Sequence, residues 1–224
     1  RNYGVRTAMT ILPTGLEAGQ FNQGNRQRFR IEHGIELDRP VALYVGRVAH
    51  EKNIDFLLHA FQQTLLARSD ALLLVVGEGP AVEHLKQLAQ QLGIDQAIKF
   101  IGYLDRDSTL LDCYSTGDVF IFASRTETQG LVLLEAMAQG TPVLSTMHMG
   151  TKDILESAGG ASVVEENVNA FATELLRLFT DQDARMRLAE AARLDAAQWS
   201  THEMCDRLLR LYGELEVSGH VSNA

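Results

Sequence analysis

From Val41 onward the chain alternates short, unbroken apolar runs with helix-length amphipathic segments, and few folds accept that rhythm. The runs are Val41-Ala-Leu-Tyr-Val45, Ala71-Leu-Leu-Leu-Val-Val76, Ile98-Lys-Phe-Ile101, Val119-Phe-Ile-Phe122, Val143-Leu-Ser145 and Ala161-Ser-Val-Val164. Helical patterns lie between and after them, near residues 53–68, 80–92, 106–116, 131–139, 150–157 and 167–180. A strand that is apolar at successive rather than alternate positions has no wet face. That is the mark of a parallel sheet covered by helices on both sides. Right-handed crossovers then give a doubly wound, Rossmann-like α/β sheet of about six strands. Ligands of such a sheet lie beyond the carboxyl ends of its strands, so the residues just after each run matter most.

Two segments flank this repeat, which is assigned to residues 40–198. Residues 1–39 read as a linker and the edge of a preceding domain: Thr10-Ile-Leu-Pro-Thr-Gly-Leu16 is extended with a turn, and a polar stretch at 21–33 has helical potential. Helical segments opened by Asp, Ser or Thr follow at about 181–197 and 200–217, the last of them (199–217) a crossover helix, and residues 218–224 read as a frayed tail. With 46% apolar and 22% charged residues the 224-residue chain reads as ordinary soluble protein. Its 20 basic and 29 acidic residues, net −9, argue against a nucleic-acid surface or a broad anionic-membrane surface. Cys113 and Cys205 lack metal-ligand spacing and read as free thiols of a reducing compartment. No apolar run approaches the ~20 residues that span a bilayer. A chain that starts at Arg1 without a leader is expected to be part of a longer protein, cytoplasmic or at the inner face of the membrane.

The strand ends carry recognisable chemistry. After the first run, Gly46-Arg47 is followed by Glu51-Lys52-Asn53. Glycine permits a tight turn there, and Asn53 suits the N-cap of the next helix. Arg47 and Lys52 form either a solvated cluster with Glu51 or a pair of cations for a diphosphate. Gly77-Glu78-Gly79-Pro80 partly imitates the dinucleotide fingerprint, with Pro80 suited to a first helical turn. However, Val82 takes the place of the third glycine, and Ile101-Gly102-Tyr103 stands where an NAD site wants an acidic residue. Gly102 and Tyr103 are a plain strand-to-helix turn or a place where a flat base meets backbone. Glu127 and Glu135 straddle Gly130, which opens a helix over residues 131–139. One acid is thus on a loop and the other about one turn into a helix whose free N–H groups favour an anion. They are either solvated acids or the grips for a diphosphate with a hydroxyl-rich group at each end. His50, His59, His84 and His148 show no ligand spacing, and no metal site is expected.

Taken in order, Gly46-Arg47-x4-Lys52-Asn53, Gly77-Glu78-Gly79-Pro80, Phe100-Ile101-Gly102 and Glu127-x7-Glu135 with Gly140-Thr141-Pro142 after it resemble one pattern. It is that of the donor-binding, C-terminal half of the retaining glycosyltransferases of family 4 (group 1), of GT-B fold, and it covers about residues 5–215. Residues 10–16 are similar to the segment entering that half, and Trp199-Ser200 with the helix after it to the terminal crossover helix. The resemblance implies a nucleotide diphosphate sugar (a UDP- or GDP-sugar) as donor, no other cofactor and no metal. Arg47 and Lys52 beside Gly46 would hold the diphosphate, helped by the N–H groups of Gly130 and Leu131 at the end of the loop Thr128-Gln129. Glu135 would accept from the ribose, Gly102 and Tyr103 would meet the base, and Glu127 would contact the transferred hexose. Glu127, Arg47 and Lys52 would thus be the catalytic residues, the cations stabilising charge that builds on the leaving phosphate. No nucleophile is assigned to Glu127.

One departure is Thr128-Gln129-Gly130, where many members have an aromatic residue before the glycine. The string Glu127-Thr-Gln-Gly-Leu131 is similar to members that glycosylate diacylglycerol and other lipids, so the implied acceptor is a lipid or a saccharide bound mainly by the absent N-terminal domain. The fragment is then expected to bind donor with little turnover, to leave peripheral membrane attachment to the missing half, and to expose a cleft face through which it could pair as a dimer. A sugar-nucleotide epimerase of the same fold and a non-catalytic nucleotide-sugar-binding domain are the alternatives.

Overall fold

The computed structural model describes residues 9–105, 109–156 and 158–221. Six strands, β1 (Val41–Val45), β2 (Leu72–Val76), β3 (Ile98–Gly102), β4 (Val119–Phe122), β5 (Val143–Ser145) and β6 (Ala161–Val163), form one sheet in the order β3-β2-β1-β4-β5-β6. Every pairing is parallel. The cause is visible in burial: all positions of β1, β2, β4 and β5 are buried, whereas the edge strand β3 is only partly covered. Unbroken apolar runs can be satisfied only between two helical layers.

The helices are α1 (Arg26–Glu32), α2 (Ile54–Leu65), α3 (Val82–Gln91), α4 (Thr109–Thr116), α5 (Leu131–Ala138), α6 (Lys152–Leu155), α7 (Val168–Thr180), α8 (Gln182–Ala197) and α9 (Thr201–Val221). One layer joins α2, α3 and α7; the other joins α1, α4, α5 and α8. Phe61 and Phe171 seal the first against the sheet, and Leu134, Met137 and Ala192 the second, all fully buried. Asn167 and Asp181 start α7 and α8 by accepting from the free N–H groups of Ala170 and Ala184, at 3.0 and 2.9 Å.

Several expectations need correction. Residues 25–39, read as linker, belong to this body: Phe29 is fully buried, and the Gln139 amide at the end of α5 binds the carbonyls of Gln20 and Asn22, each at 2.8 Å. Asn53 does precede α2, but in a left-handed conformation (φ 57°) with no side-chain cap. Its amide instead donates to the carbonyl of Ala123 (3.2 Å) and to Glu166 (3.3 Å), tying β1's loop to β4's. Pro80 lies in the turn before α3, not in its first turn, because Gly79 and Ala81 are occupied by the loop after β1: Ala81 N–H donates to Val48 O at 3.0 Å. The last helix continues past Val217 to Val221. The start of the helix expected at 106–116, Arg106 to Ser108, lies outside the described residues, as does the end of the tail. Residues 10–16 run to the corner before α9, where Leu16 and Ser200 form a parallel bridge and Leu16 N–H donates to Trp199 O at 2.7 Å.

Candidate functional site

Strand order reverses between β1 and β4, and a doubly wound sheet opens a crevice beyond the strand tips at such a point. The tips there are brought unusually close. Gly77, just after β2, has φ 125°, and a Cβ on it would fall 2.0 Å from the carbonyl oxygen of Gly46. Only glycine fits, so the string Gly77-Glu78-Gly79 serves packing between neighbouring strand ends. The Gly102 carbonyl is similarly engaged, accepting from Gly77 N–H at 2.8 Å. That leaves Tyr103 and Leu104 as the part of this strand end that faces the crevice.

A cavity of about 320 Å³ occupies the crevice. Arg47 and Glu78 line it from the loops after β1 and β2, Tyr103 from beyond β3, Tyr114 from α4 and Glu135 from α5, over an apolar floor that includes Val45 and Val132. Four of the residues singled out from sequence therefore line one cavity, Gly46, Arg47, Tyr103 and Glu135, with Arg47 and Glu135 far apart in the chain. Arg47 is extended and exposed, with Glu51 at 3.7 Å. Glu135 is buried on α5, and its Oε2 accepts from Tyr114 Oη at 2.6 Å. Tyr44, below Arg47, donates its hydroxyl to the Arg47 carbonyl at 3.1 Å. Burial, reinforced by the nearby charges of Glu127 and Glu51, pushes that phenol well above its ordinary range, so it stays a donor.

Lys52 and Glu127 are not among the residues lining this cavity; they face each other, Nζ to Oε2 2.9 Å. The sequence reading gave them separate tasks; here they are a half-buried pair. Gly130 precedes α5 with φ 76°, a conformation that suits glycine and that aims the first N–H groups of the helix, those of Leu131 and Val132, outward without intrahelical partners. Thr128 and Gln129 point elsewhere. They line a separate cavity of about 220 Å³ with Pro13, Asp153 and Trp199. The Gln129 amide donates to the carbonyl of Thr14 at 2.9 Å, joining the loop to the entering segment.

Sequence reasoning missed two features. Tyr114 was hidden inside an amphipathic helix pattern, where an aromatic residue reads as core. Glu166 gathers Arg125, Asn53 and His148 (3.0 Å) at the neighbouring strand ends, and no spacing signals that cluster. The hydrogen bond from Arg125 chiefly holds the Glu166 carboxyl below its ordinary value; burial, the next largest influence, opposes it, and the charge of Arg125, the Asn53 amide and His148 add to the lowering. Elsewhere His84 meets Asp55 at 2.6 Å on the surface. Among the described residues no three His, Cys, Asp or Glu side chains gather as a metal site, and no helix is long and apolar enough to cross a membrane. Cys113 is buried and Cys205 exposed, both free thiols.

A cavity lined by Arg47 and the buried Glu135 lies at the switch point of a doubly wound parallel sheet, the architecture of a Rossmann-like domain. The glycosyl transferases group 1 family model matches residues 25–195, and the chain belongs to that family, with the Rossmann-like half of the GT-B fold. It is 37% identical over 149 residues to an alpha-monoglucosyldiacylglycerol synthase of Streptococcus pneumoniae, covering 64% of this chain and 34% of that protein. It is 30% identical to a D-inositol 3-phosphate glycosyltransferase of Corynebacterium jeikeium, covering 95% and 53%. The sucrose-phosphate synthase of Thermosynechococcus elongatus superposes with a TM-score of 0.81 at 25% identity, over 97% of this chain and 55% of that one. Anabaena HepE, solved with UDP and glucose, shares the fold with a TM-score of 0.79 at 18% identity. The chain thus spans about a third to a half of the length of the curated relatives it matches.

Proposed function

We propose that this chain is the donor-binding part of a retaining, metal-independent glycosyltransferase that moves a hexose from a UDP- or GDP-sugar to a lipid or saccharide acceptor. The observation that carries the reading is the meeting of Arg47 and Glu135 on one cavity, which the start of α5 also lines through Val132, with Lys52 on the same loop as Arg47. A nucleoside diphosphate matches those groups in order. The base enters the apolar cavity beside Tyr103 and Leu104, and the ribose hydroxyls donate to the buried Glu135 carboxylate. The diphosphate lies between Arg47, Lys52 and the N–H groups of Leu131 and Val132. As the glycosidic bond breaks, negative charge grows on the β-phosphate, and fixed donors already aimed at it lower the barrier without a divalent ion.

Glu127 serves two states. Without donor it neutralises Lys52 at 2.9 Å; with donor it is close to where the hexose hydroxyls would sit, and Lys52 turns to the phosphate. The acceptor class is suggested by the relatives named for diacylglycerol and inositol phosphate substrates, and a lipid acceptor would bring the whole protein to a membrane surface. Calorimetric titration with UDP and GDP tests the proposal. One of the two should bind, and both Arg47→Ala and Lys52→Ala should weaken it. Binding unchanged in both variants, or no binding of either nucleotide to the wild type, would refute the assignment.

A further inference from the structure

We infer that Glu78 is the residue that selects the base, favouring guanine over uracil, so that the donor is a GDP-sugar. The inference rests on the donor-site reading above and narrows it. Glu78 lines the cavity from the loop after β2, together with Tyr103 and Leu104 from beyond β3. Its side chain leans across the tip of β3, where Oε1 lies 4.0 Å from the place that a Cβ on Gly102 would take. Among the described residues nothing hydrogen-bonds to that carboxylate or pairs with it. The backbone beneath it, by contrast, is held. The Glu78 carbonyl accepts from Val48 N–H at 2.9 Å, and a Cβ on Gly79 would fall 2.2 Å from the Val48 oxygen. One uncommitted carboxylate therefore stands on a fixed base at the end of the cavity that the nucleobase enters.

What a carboxylate can accept decides the base. Guanine offers N1–H and an N2 amino hydrogen side by side on one edge. That pair matches the two oxygens of a carboxylate much as a guanidinium does, through charge-assisted bonds. Uracil offers a single N3–H set between two carbonyl oxygens, and a carboxylate brought to that edge repels both. Glu78 thus discriminates twice, by attracting one base and by repelling the other. The exposed ring of Tyr103 gives a face on which either base can stack, and stacking is tolerant of base identity, so the choice falls to Glu78.

The test measures GDP, UDP and inosine diphosphate by calorimetry on wild type, Glu78→Ala and Glu78→Gln. Inosine keeps N1–H and lacks the N2 amino group, so it reports the second bond of the pair alone. Wild type should bind GDP at least about tenfold more tightly than either of the others, the worth of one hydrogen bond to a charged group. Glu78→Ala should bring both ratios near unity while leaving affinity for inorganic pyrophosphate unchanged. Glu78→Gln offers one acceptor and one donor, as the uracil edge requires, and should move the preference toward UDP. A wild type that prefers UDP, or a preference for GDP that survives Glu78→Ala, overturns the inference and leaves the donor site standing. Binding of neither nucleotide removes the donor site itself and the inference with it, so the two failures are distinct. Glu78 is exposed, and thermal unfolding checks that the variants keep the fold. Should Glu78→Ala unfold, the wild-type ratio of GDP to inosine diphosphate still decides: equal binding refutes the paired contact.

Discussion

The two ends of this sheet both carry arginine–carboxylate chemistry, and they use it in opposite ways. Beneath the amino ends of the strands, Arg30 has no exposed surface at all, whereas at the carboxyl ends the Arg47 side chain is 67% exposed. Arg30 donates to the carbonyls of Glu36, Leu37 and Arg39, to that of Thr116, and to Asp118 Oδ2 at 3.2 Å. Asp118 in turn accepts from Val41 N–H at 2.8 Å and from Arg26 at 2.8 Å, while Asp112 accepts from Asn25 N–H and Arg28, each at 2.6 Å. Burial above all, with the like charge of Arg26, pulls the Arg30 guanidinium down to about 10 despite Asp118, yet it remains charged at neutral pH. At the rim, Arg47 has one distant partner and Lys52 one near one. An arginine whose two terminal nitrogens are both engaged by buried acceptors fixes structure, even with its Nε left unpaired; an under-committed one is available to a ligand.

The sharpest way to break that contrast is Arg30→Ala. It takes one of three partners from the Asp118 carboxylate and leaves several buried carbonyls without a donor, and removing one partner of a buried, hydrogen-bonded charge costs about 3–5 kcal/mol. Urea unfolding should show that loss, while the protein that remains folded keeps its nucleotide affinity. A loss no larger than a surface substitution gives would erase the distinction between the two ends.

The mirror experiment is Arg47→Ala and Lys52→Ala, with stability and binding read side by side. Arg47 is largely solvated, so its loss should move the unfolding free energy by no more than about 0.5 kcal/mol, and Lys52→Ala, which parts a half-buried ion pair, by about 1 kcal/mol. Diphosphate affinity should fall by roughly tenfold each, as expected for a lost charge-assisted bond. If Lys52→Ala proves strongly destabilising instead, the Lys52–Glu127 pair is a structural clasp like the one around Arg30.

The contrast also explains what was legible beforehand. Strands buried on both faces leave a period-free apolar signature, so the six strands and their parallel pairing could be read closely from the chain, while the strand order could not. Arg47, Lys52, Glu127 and Glu135 stood out because glycine marks the strand ends. Arg30 did not stand out: its partners are mostly backbone carbonyls, which have no sequence signature, and the helix that carries it looked like linker. Asn53 fitted an N-cap by residue type, but the approach of the β4 loop offered its amide better acceptors and the backbone went left-handed. Tyr114 was invisible for a related reason, since its hydroxyl partner lies on another helix. Thr128 and Gln129 follow Glu127 in the chain yet line a second cavity, where the Gln129 amide donates to the Thr14 carbonyl, a partner with no sequence signature.

The smallest effect concerns the exposed cluster at the rim, where Glu166 ties Arg125 and His148 to Asn53. Because the folded-state value of Glu166 is depressed, its contribution to stability is fully present above the ordinary glutamate range and is lost as the pH falls through the folded value. Comparing urea midpoints of wild type and Glu166→Gln should therefore show a modest wild-type advantage at about pH 7 that fades toward pH 3. Solvent screening keeps it small, since the Arg125 side chain is 61% exposed. A difference between wild type and Glu166→Gln that stays constant from neutral to acid would mean that Glu166 acts there by packing or hydrogen bonding, and not through its charge.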